Sequence, residues 1–110
     1  MPGVFELNKA SDGQFHFVLK ADNGEVILSS ELYKDKAGAE AGMASVRANC
    51  QSDERFEKKT SSNGKPYFTL KAGNNEVIGT SQMYSSESAR DNGIASVKHN
   101  GVTQAVNNNA

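Results

Sequence analysis

Residues 42–49 read GMASVRAN and residues 93–100 read GIASVKHN, 51 positions later. Displaced by 51, the chain of 110 residues aligns on itself without a gap, and 19 of the 46 positions from 5 to 50 are identical. No other feature constrains the fold as strongly. A unit of about 50 residues buries too little apolar surface to stay folded alone, whereas about 100 residues suffice. Two copies are too few for a solenoid. The duplication therefore predicts one pseudo-two-fold domain, in which two half-sized units share an apolar interior.

Each copy begins with period two. VFELNK at 4–9 and RFEKKT at 55–60 read as strands. ASDGQ and SSNGK follow, and Asp-Gly or Asn-Gly predicts a two-residue hairpin turn with positive φ at both central positions. In QFHFVLK, Phe15, Phe17 and Leu19 share one face and His16, Val18 and Lys20 the other; KPYFTLK puts Phe68 and Leu70 on the matching face. Pro66 marks a strand start or an edge. ADNGE and AGNNE turn the chain into EVILSS and EVIGTS.

The period then becomes helical. Asp35 and Ser86 are equivalent and are good N-caps. Ala39, Met43, Val46 and Cys50 form an apolar stripe, continued in the second copy by Ile94 and Val97. Asn49, Asn100 and Gly101 predict left-handed helix ends. Gly42 and Gly93 sit mid-helix, where glycine costs about 1 kcal/mol relative to alanine. That shared cost predicts close approach of each helix to the sheet or to its twin. The segments after the helices, 54–59 and VTQAV at 102–106, are expected to pair with the other copy. The unit is β-β-β-α(-β). The expected fold is α+β: one mainly antiparallel sheet with both helices on one face. Repeat one spans 4–53 and repeat two 54–106 of a single domain 1–110, and the tail 107–110 is expected to be disordered.

Formal charge is −1 and the pI about 6.1, so there is no basic excess to hold nucleic acid or an anionic membrane. The phenylalanines lie on the face the helices cover, which leaves Tyr67 outside. No apolar run approaches the ~18 residues of a membrane span, and the N-terminus shows no secretory pattern. Cys50 is the one cysteine, so no internal disulfide forms, and a cytoplasmic location is expected. His16 and His99 lie far apart, and no metal or cofactor motif is present. Cys50 lacks a nearby base and corresponds to Gly101; His16 corresponds to Tyr67 and His99 to Ala48. None of the three is a shared catalytic group.

NGEVILSSELY and NNEVIGTSQMYSS, each followed by its octapeptide, resemble the YegP-like family of small bacterial proteins, whose function is uncharacterised. The resemblance covers residues 4–106. It implies a three-strand, helix, strand unit, assembled in pairs into one sheet with exchanged C-terminal strands, and it brings no catalytic residues.

Polar positions shared by both copies are the internal candidates for a site: Lys20, Ser30, Tyr33 and Asn49, with Lys71, Ser81, Tyr84 and Asn100. Tyr suits stacking, Ser and Asn hydrogen bonding, and Lys an anion. Each also has a structural role, at a turn, a helix start or a helix end. Three functions follow as expectations: a small non-enzymatic binding or interaction module, monomeric because it contains its own dimer; an enzyme using the paired Tyr, Ser, Lys and Asn; or recruitment of a partner by edge-strand addition.

Overall fold

The computed structural model describes residues 3–110. Its elements are β1 (Val4–Lys9), β2 (Phe15–Lys20), β3 (Val26–Ser30), α1 (Lys36–Asn49), a 3-10 turn (Asp53–Arg55), β4 (Phe56–Thr60), β5 (Pro66–Lys71), β6 (Val77–Thr80), α2 (Glu87–Asn100) and β7 (Val106–Asn108). Seven strands form one sheet in the order β4-β5-β6-β3-β2-β1-β7. Every pairing is antiparallel except β1 with β7, which is parallel. β3 and β6 meet at the centre, Ser29 opposite Thr80 and Ser30 opposite Gly79, and join the two copies into one sheet.

The alternation read from sequence sets the core. Phe5, Leu7, Phe17, Leu19, Phe68 and Leu70 are all 0–1% exposed and form one cluster with Met43, Val46, Ile94 and Val97. Both helices therefore cover the same face. Each packs on strands of both copies, α1 on β2, β5 and β6, and α2 on β5, β2 and β3. The two halves contribute to one buried cluster.

All four hairpin turns share one geometry, different from the two-residue turn expected. Gly13 N donates to Ala10 O (3.0 Å) and Ala10 N to Gln14 O (2.7 Å), which makes a three-residue loop with a single left-handed residue. Gly13, Gly24 and Gly64 carry φ of 86°, 86° and 84°, and Asn75 takes the fourth position at 71°. A type I turn closed by a left-handed residue needs one positive φ rather than two.

The N-caps are as expected: Asp35 accepts from Gly38 N (2.7 Å) and Ser86 from Ala89 N (3.0 Å). The helix ends are not. Cys50 and Gly101 stay right-handed (φ −69° and −67°), and Asn49 and Asn100 are the last helical residues. Gly101 serves space instead of conformation. Cys50 and Gly101 are equivalent positions that meet at the pseudo-two-fold axis, and a Cβ at 101 would lie 2.8 Å from Cys50 Sγ. Leu28 and Gly79 repeat the device, with a Cβ at 79 falling 2.8 Å from Leu28 Cγ. Where equivalent residues touch, the interior holds one large side chain and one glycine.

Gly42 and Gly93 do admit close approach, chiefly of a tyrosine. A Cβ at 42 would overlap Tyr33 Oη and stand 2.9 Å from Phe17 Cε2; one at 93 would overlap Tyr84 Oη and stand 3.2 Å from Phe68 Cε2. Each tyrosine lies parallel to its phenylalanine, with centroids 6.2 and 6.3 Å apart.

The C-terminal tail differs from the disorder expected at 107–110. Val106–Asn108 forms β7, Asn109 N donates to Leu7 O (2.8 Å), and Phe5 N donates to Ala105 O (3.0 Å). β1 would otherwise leave its outward N–H and C=O groups unpaired, and this segment satisfies them. The exchange of post-helix strands occurs at this edge alone. β4, which follows α1, pairs only with β5 of its own copy.

Candidate functional site

The structure gives the shared serines, asparagines and lysines local partners. Ser30 Oγ accepts from Phe17 N (2.8 Å) and donates to Glu31 O (2.7 Å); Ser81 Oγ does the same with Phe68 N (3.0 Å) and Gln82 O (2.8 Å). These hydroxyls stand in for ladder bonds where the third strand of each copy leaves the sheet. Asn49 and Asn100 donate to the carbonyls of Ser45 and Ser96, one turn back (both 2.8 Å). Lys20 pairs with Glu6 (3.0 Å), and Lys71 with Glu57 (3.1 Å). The partner of Lys20 comes from the neighbouring strand β1. Lys71 also draws the Glu57 carboxyl below its ordinary range.

Of the eight candidates, Tyr33 and Tyr84 line clefts between the copies, and Lys20 borders a hollow of about 390 Å³ with Val4, Ala21 and Ala105. Two clefts related by the pseudo-axis lie on the seam between copies. One, of about 180 Å³, is bounded by Glu25, Tyr84, Asn92, Gly93 and Ser96; the other, of about 220 Å³, by Glu76, Tyr33, Ala41, Gly42 and Ser45. Tyr84 Oη is buried without a hydrogen-bond partner. Burial pushes both tyrosine hydroxyls above their ordinary range.

A larger cavity lies elsewhere, between β4 and α2. It measures about 460 Å³ and is lined by Phe56, Ile94 and Ala95, with Lys58, Asp91 and Lys98 around them. Lys58 pairs with Asp91 (3.2 Å) and Lys98 with Asp53. Asp91 also accepts from Arg90 (3.1 Å). The Lys58 ammonium, with Arg90 adding to it, holds the Asp91 carboxyl below its ordinary range.

The equivalent place in the first copy is covered, and a cleft of about 180 Å³ remains there. Residues 103–109 run along β1 beside α1. Thr103 is 3% exposed, and its carbonyl accepts from Arg47 Nε (2.7 Å), whose guanidinium lies 5.1 Å from the Phe5 ring centre. Val106 stands opposite Phe5 and beside Glu40, Met43 and Arg47, the counterparts of Asp91, Ile94 and Lys98. Phe5 is fully buried under this cover; its counterpart Phe56 is only half-buried.

Backbone groups repeat the contrast. Antiparallel pairing turns alternate residues outward at an edge. On β1 these are Phe5 and Leu7, which bond to residues 105 and 109. On β4 they are Phe56 and Lys58. Phe56 N is taken by Asp53 O in the 3-10 turn. Phe56 C=O, Lys58 N–H and Lys58 C=O face the open edge.

Phe56, Lys58, Asp91, Ile94 and Lys98 were absent from the sequence candidates, because the criterion was a polar residue identical in both copies. Lys58 replaces Leu7 and Lys98 replaces Arg47. A count of strands would have found them: 54–59 was assigned both to the end of copy one and to the start of copy two.

Among the described residues no helix is long and apolar enough to cross a membrane, and no three His, Cys, Asp or Glu side chains cluster as metal ligands would.

The domain of unknown function DUF1508 matches the chain twice, over residues 10–57 and 61–107. The UPF0339 protein YegP of Escherichia coli K12 is 62% identical over 109 residues, 99% of each chain. A UPF0339 protein of Acinetobacter baylyi is 59% identical over 106 residues, 96% of each. The solution NMR structure of E. coli YegP, described as a protein of unknown function, superposes with a TM-score of 0.94 at 61% identity, covering 99% of this chain and 94% of that one. The NMR structure of a UPF0339 protein from Shewanella oneidensis gives 0.92 at 56% identity, covering 98% and 92%.

Proposed function

The chain belongs to the DUF1508 family, the YegP-like proteins of unknown function, and from that starting point we propose that it is a non-enzymatic interaction module whose binding face is the groove between β4 and α2. One observation carries the reading. The same groove in the first copy is covered by an extended segment of the chain itself, which leaves about 180 Å³, while in the second copy about 460 Å³ stays open. An edge strand with unpaired backbone groups beside an apolar floor is suited to strand addition, in which main-chain bonds give affinity and side-chain pockets give selectivity. The module acts as a cytoplasmic monomer and a single cooperative domain. Burial of its one cysteine in a shared core supports that, since the thiol is kept from intermolecular pairing.

A photo-cross-linking residue placed at position 58 tests the proposal in living cells. Covalent adducts to polypeptide are expected from position 58 and not from position 32, an exposed loop site. Equal yields from the two positions would remove the reading.

A second reading rests on the buried, unpartnered Tyr84 Oη. The twin seam clefts accept small hydrogen-bonding molecules, with Tyr33 and Tyr84 as the contacting members of the shared polar set. A fragment screen by NMR that left the amides of Tyr84, Gly93 and Ser96 unshifted would exclude it.

A further inference from the structure

We propose that the segment taken by the β4 groove is a neutral, extended peptide of another protein, bound parallel to β4, with a β-branched residue opposite Phe56 and a hydrogen-bonding residue opposite Lys58. The inference rests on the reading of the groove given above and specifies its occupant.

Orientation and register come from the cover that the first copy already carries. Val106 lies opposite Phe5 and Asn108 opposite Leu7, in parallel. Displaced by 51, those positions fall opposite Phe56 and Lys58. The outward groups left on β4 match the same ladder. Phe56 C=O accepts from the residue after the β-branched one, Lys58 N–H donates to that residue's carbonyl, and Lys58 C=O accepts from the N–H two residues further on. The last of these has its precedent in the bond from Asn109 N to Leu7 O.

Side chains set the chemistry. The residue opposite Phe56 faces Ile94 and the carbons of Lys98, where a chain as small as valine fits beside the helix, as Val106 fits beside Met43 and Arg47. The residue opposite Lys58 meets an ion pair instead of Leu7. A side chain that both donates and accepts serves Lys58 and Asp91 without parting them. The charges around the groove are already matched, Lys58 with Asp91 and Lys98 with Asp53. A charged occupant would find no free counter-charge and would compete with these exposed pairs, so a neutral segment fits the groove best.

A second copy of this chain is a poor occupant. Its own C-terminal strand is seated on β1. Direct pairing of two β4 edges would bring the Lys58 and Lys59 side chains together, and facing like charges oppose sheet pairing.

The test uses the peptide VTQAVNNNA, residues 102–110, added to the isotope-labelled full-length chain. Saturable shifts are expected at the amides of Phe56, Lys58, Ile94 and Lys98, with Phe5 and Leu7 unmoved. A spin label on the peptide's N-terminus should broaden the Phe56 end of β4, and one on its C-terminus the Thr60 end. Val106→Asp in the peptide should weaken binding about tenfold, through a lost apolar contact and an unmatched charge. Lys58→Pro in the protein removes one outward N–H that no ladder bond uses. It should abolish peptide binding while β4 stays paired with β5. No shift at millimolar peptide, a reversed broadening pattern, or equal binding of the Asp peptide would each overturn the proposal. Cross-linking from position 58 together with a silent peptide overturns this occupant and leaves the groove reading standing. Silence in both experiments removes both.

Discussion

Gly93→Ala sets helix propensity against packing, and the geometry decides the sign. Alanine in mid-helix is favoured over glycine by about 1 kcal/mol. The added methyl would overlap Tyr84 Oη and stand 2.6 Å from Tyr84 Cζ and 3.2 Å from Phe68 Cε2. Tyr84 has little freedom to retreat. Its ring lies parallel to Phe68, at an interplanar angle of 10°, and its N–H donates to Pro66 O (2.8 Å). Overfilling a packed site costs about 1–3 kcal/mol, and disturbing the aromatic pair about 0.5–1.5. Set against the propensity gain, the substitution should destabilise by about 1–3 kcal/mol, and the melting temperature should fall about 4–12 °C. Urea unfolding with an unchanged m-value would locate the effect in the native state. The control is a double-mutant cycle with Tyr84→Leu, which removes the ring. On that background Gly93→Ala should be neutral or stabilising, a coupling of at least about 1 kcal/mol. A gain in stability from Gly93→Ala alone would show that the glycine makes no room for the tyrosine, and the account of both octapeptides would fail.

Asn75 holds the left-handed turn position that glycine holds in the other three hairpins (φ 71°), so Asn75→Gly should stabilise by about 0.5 kcal/mol, read from chemical melts, and a loss would contradict the assigned turn. Cys50 is fully buried, and burial raises its thiol above the ordinary range. Alkylation of the native protein should therefore proceed only as fast as the chain opens, and prompt labelling without denaturant would refute that. Asp91 is held low chiefly by Lys58. A carboxyl depressed on folding adds stability above its unfolded pKa and loses it as pH falls through the folded one, so acid should weaken this corner of the groove below about pH 4. Lys58→Met should return the Asp91 carboxyl part of the way toward its ordinary range, with Arg90 keeping the remainder; an unchanged NMR titration would show that Lys58 is not the cause.

The period-two runs and the helical stripe were legible because both report burial on one face, and burial is what the shared core requires. Phe17, Leu19, Met43 and Val46 could be placed from spacing alone. The turn type was not legible. Asp-Gly fits a two-residue loop or a three-residue loop ending in a left-handed glycine, and the choice depends on strand register rather than on the dipeptide. The shared polar set has a structural reading for a related reason. Ser30 and Asn49 recur because each copy must satisfy the same backbone groups at the same place, so identity between copies marks structural duty at least as strongly as function. The informative positions were those where the copies differ. Leu28 against Gly79 and Cys50 against Gly101 differ because they touch across the axis, and Leu7 against Lys58 differs because one edge is covered and the other is not.

That last difference follows from connectivity. A unit that ends in a strand and lends it to its neighbour fills both edges only if each copy has a free end. Joined head to tail at a spacing of 51 with no linker, the strand that should end copy one becomes the strand that begins copy two. Residues 55–57 align with 4–6 and also with 106–108, and they cannot lie on β4 and be β4. The fused chain therefore has seven strands where two symmetric units call for eight. The vacancy lies at β4, beside a helix whose twin is covered. A chain that only needed to blunt this edge required a charge there, and Lys58 and Lys59 supply two. A charge alone does not account for the half-buried Phe56 and the apolar Ile94 and Ala95 beneath it, which keep the shape of the first copy's groove without its cover. Loss of peptide binding from Phe56→Ser, with the melt of β4 and β5 preserved, would tie that retained floor to recognition. Full binding by the same variant would reduce it to a relic of the duplication.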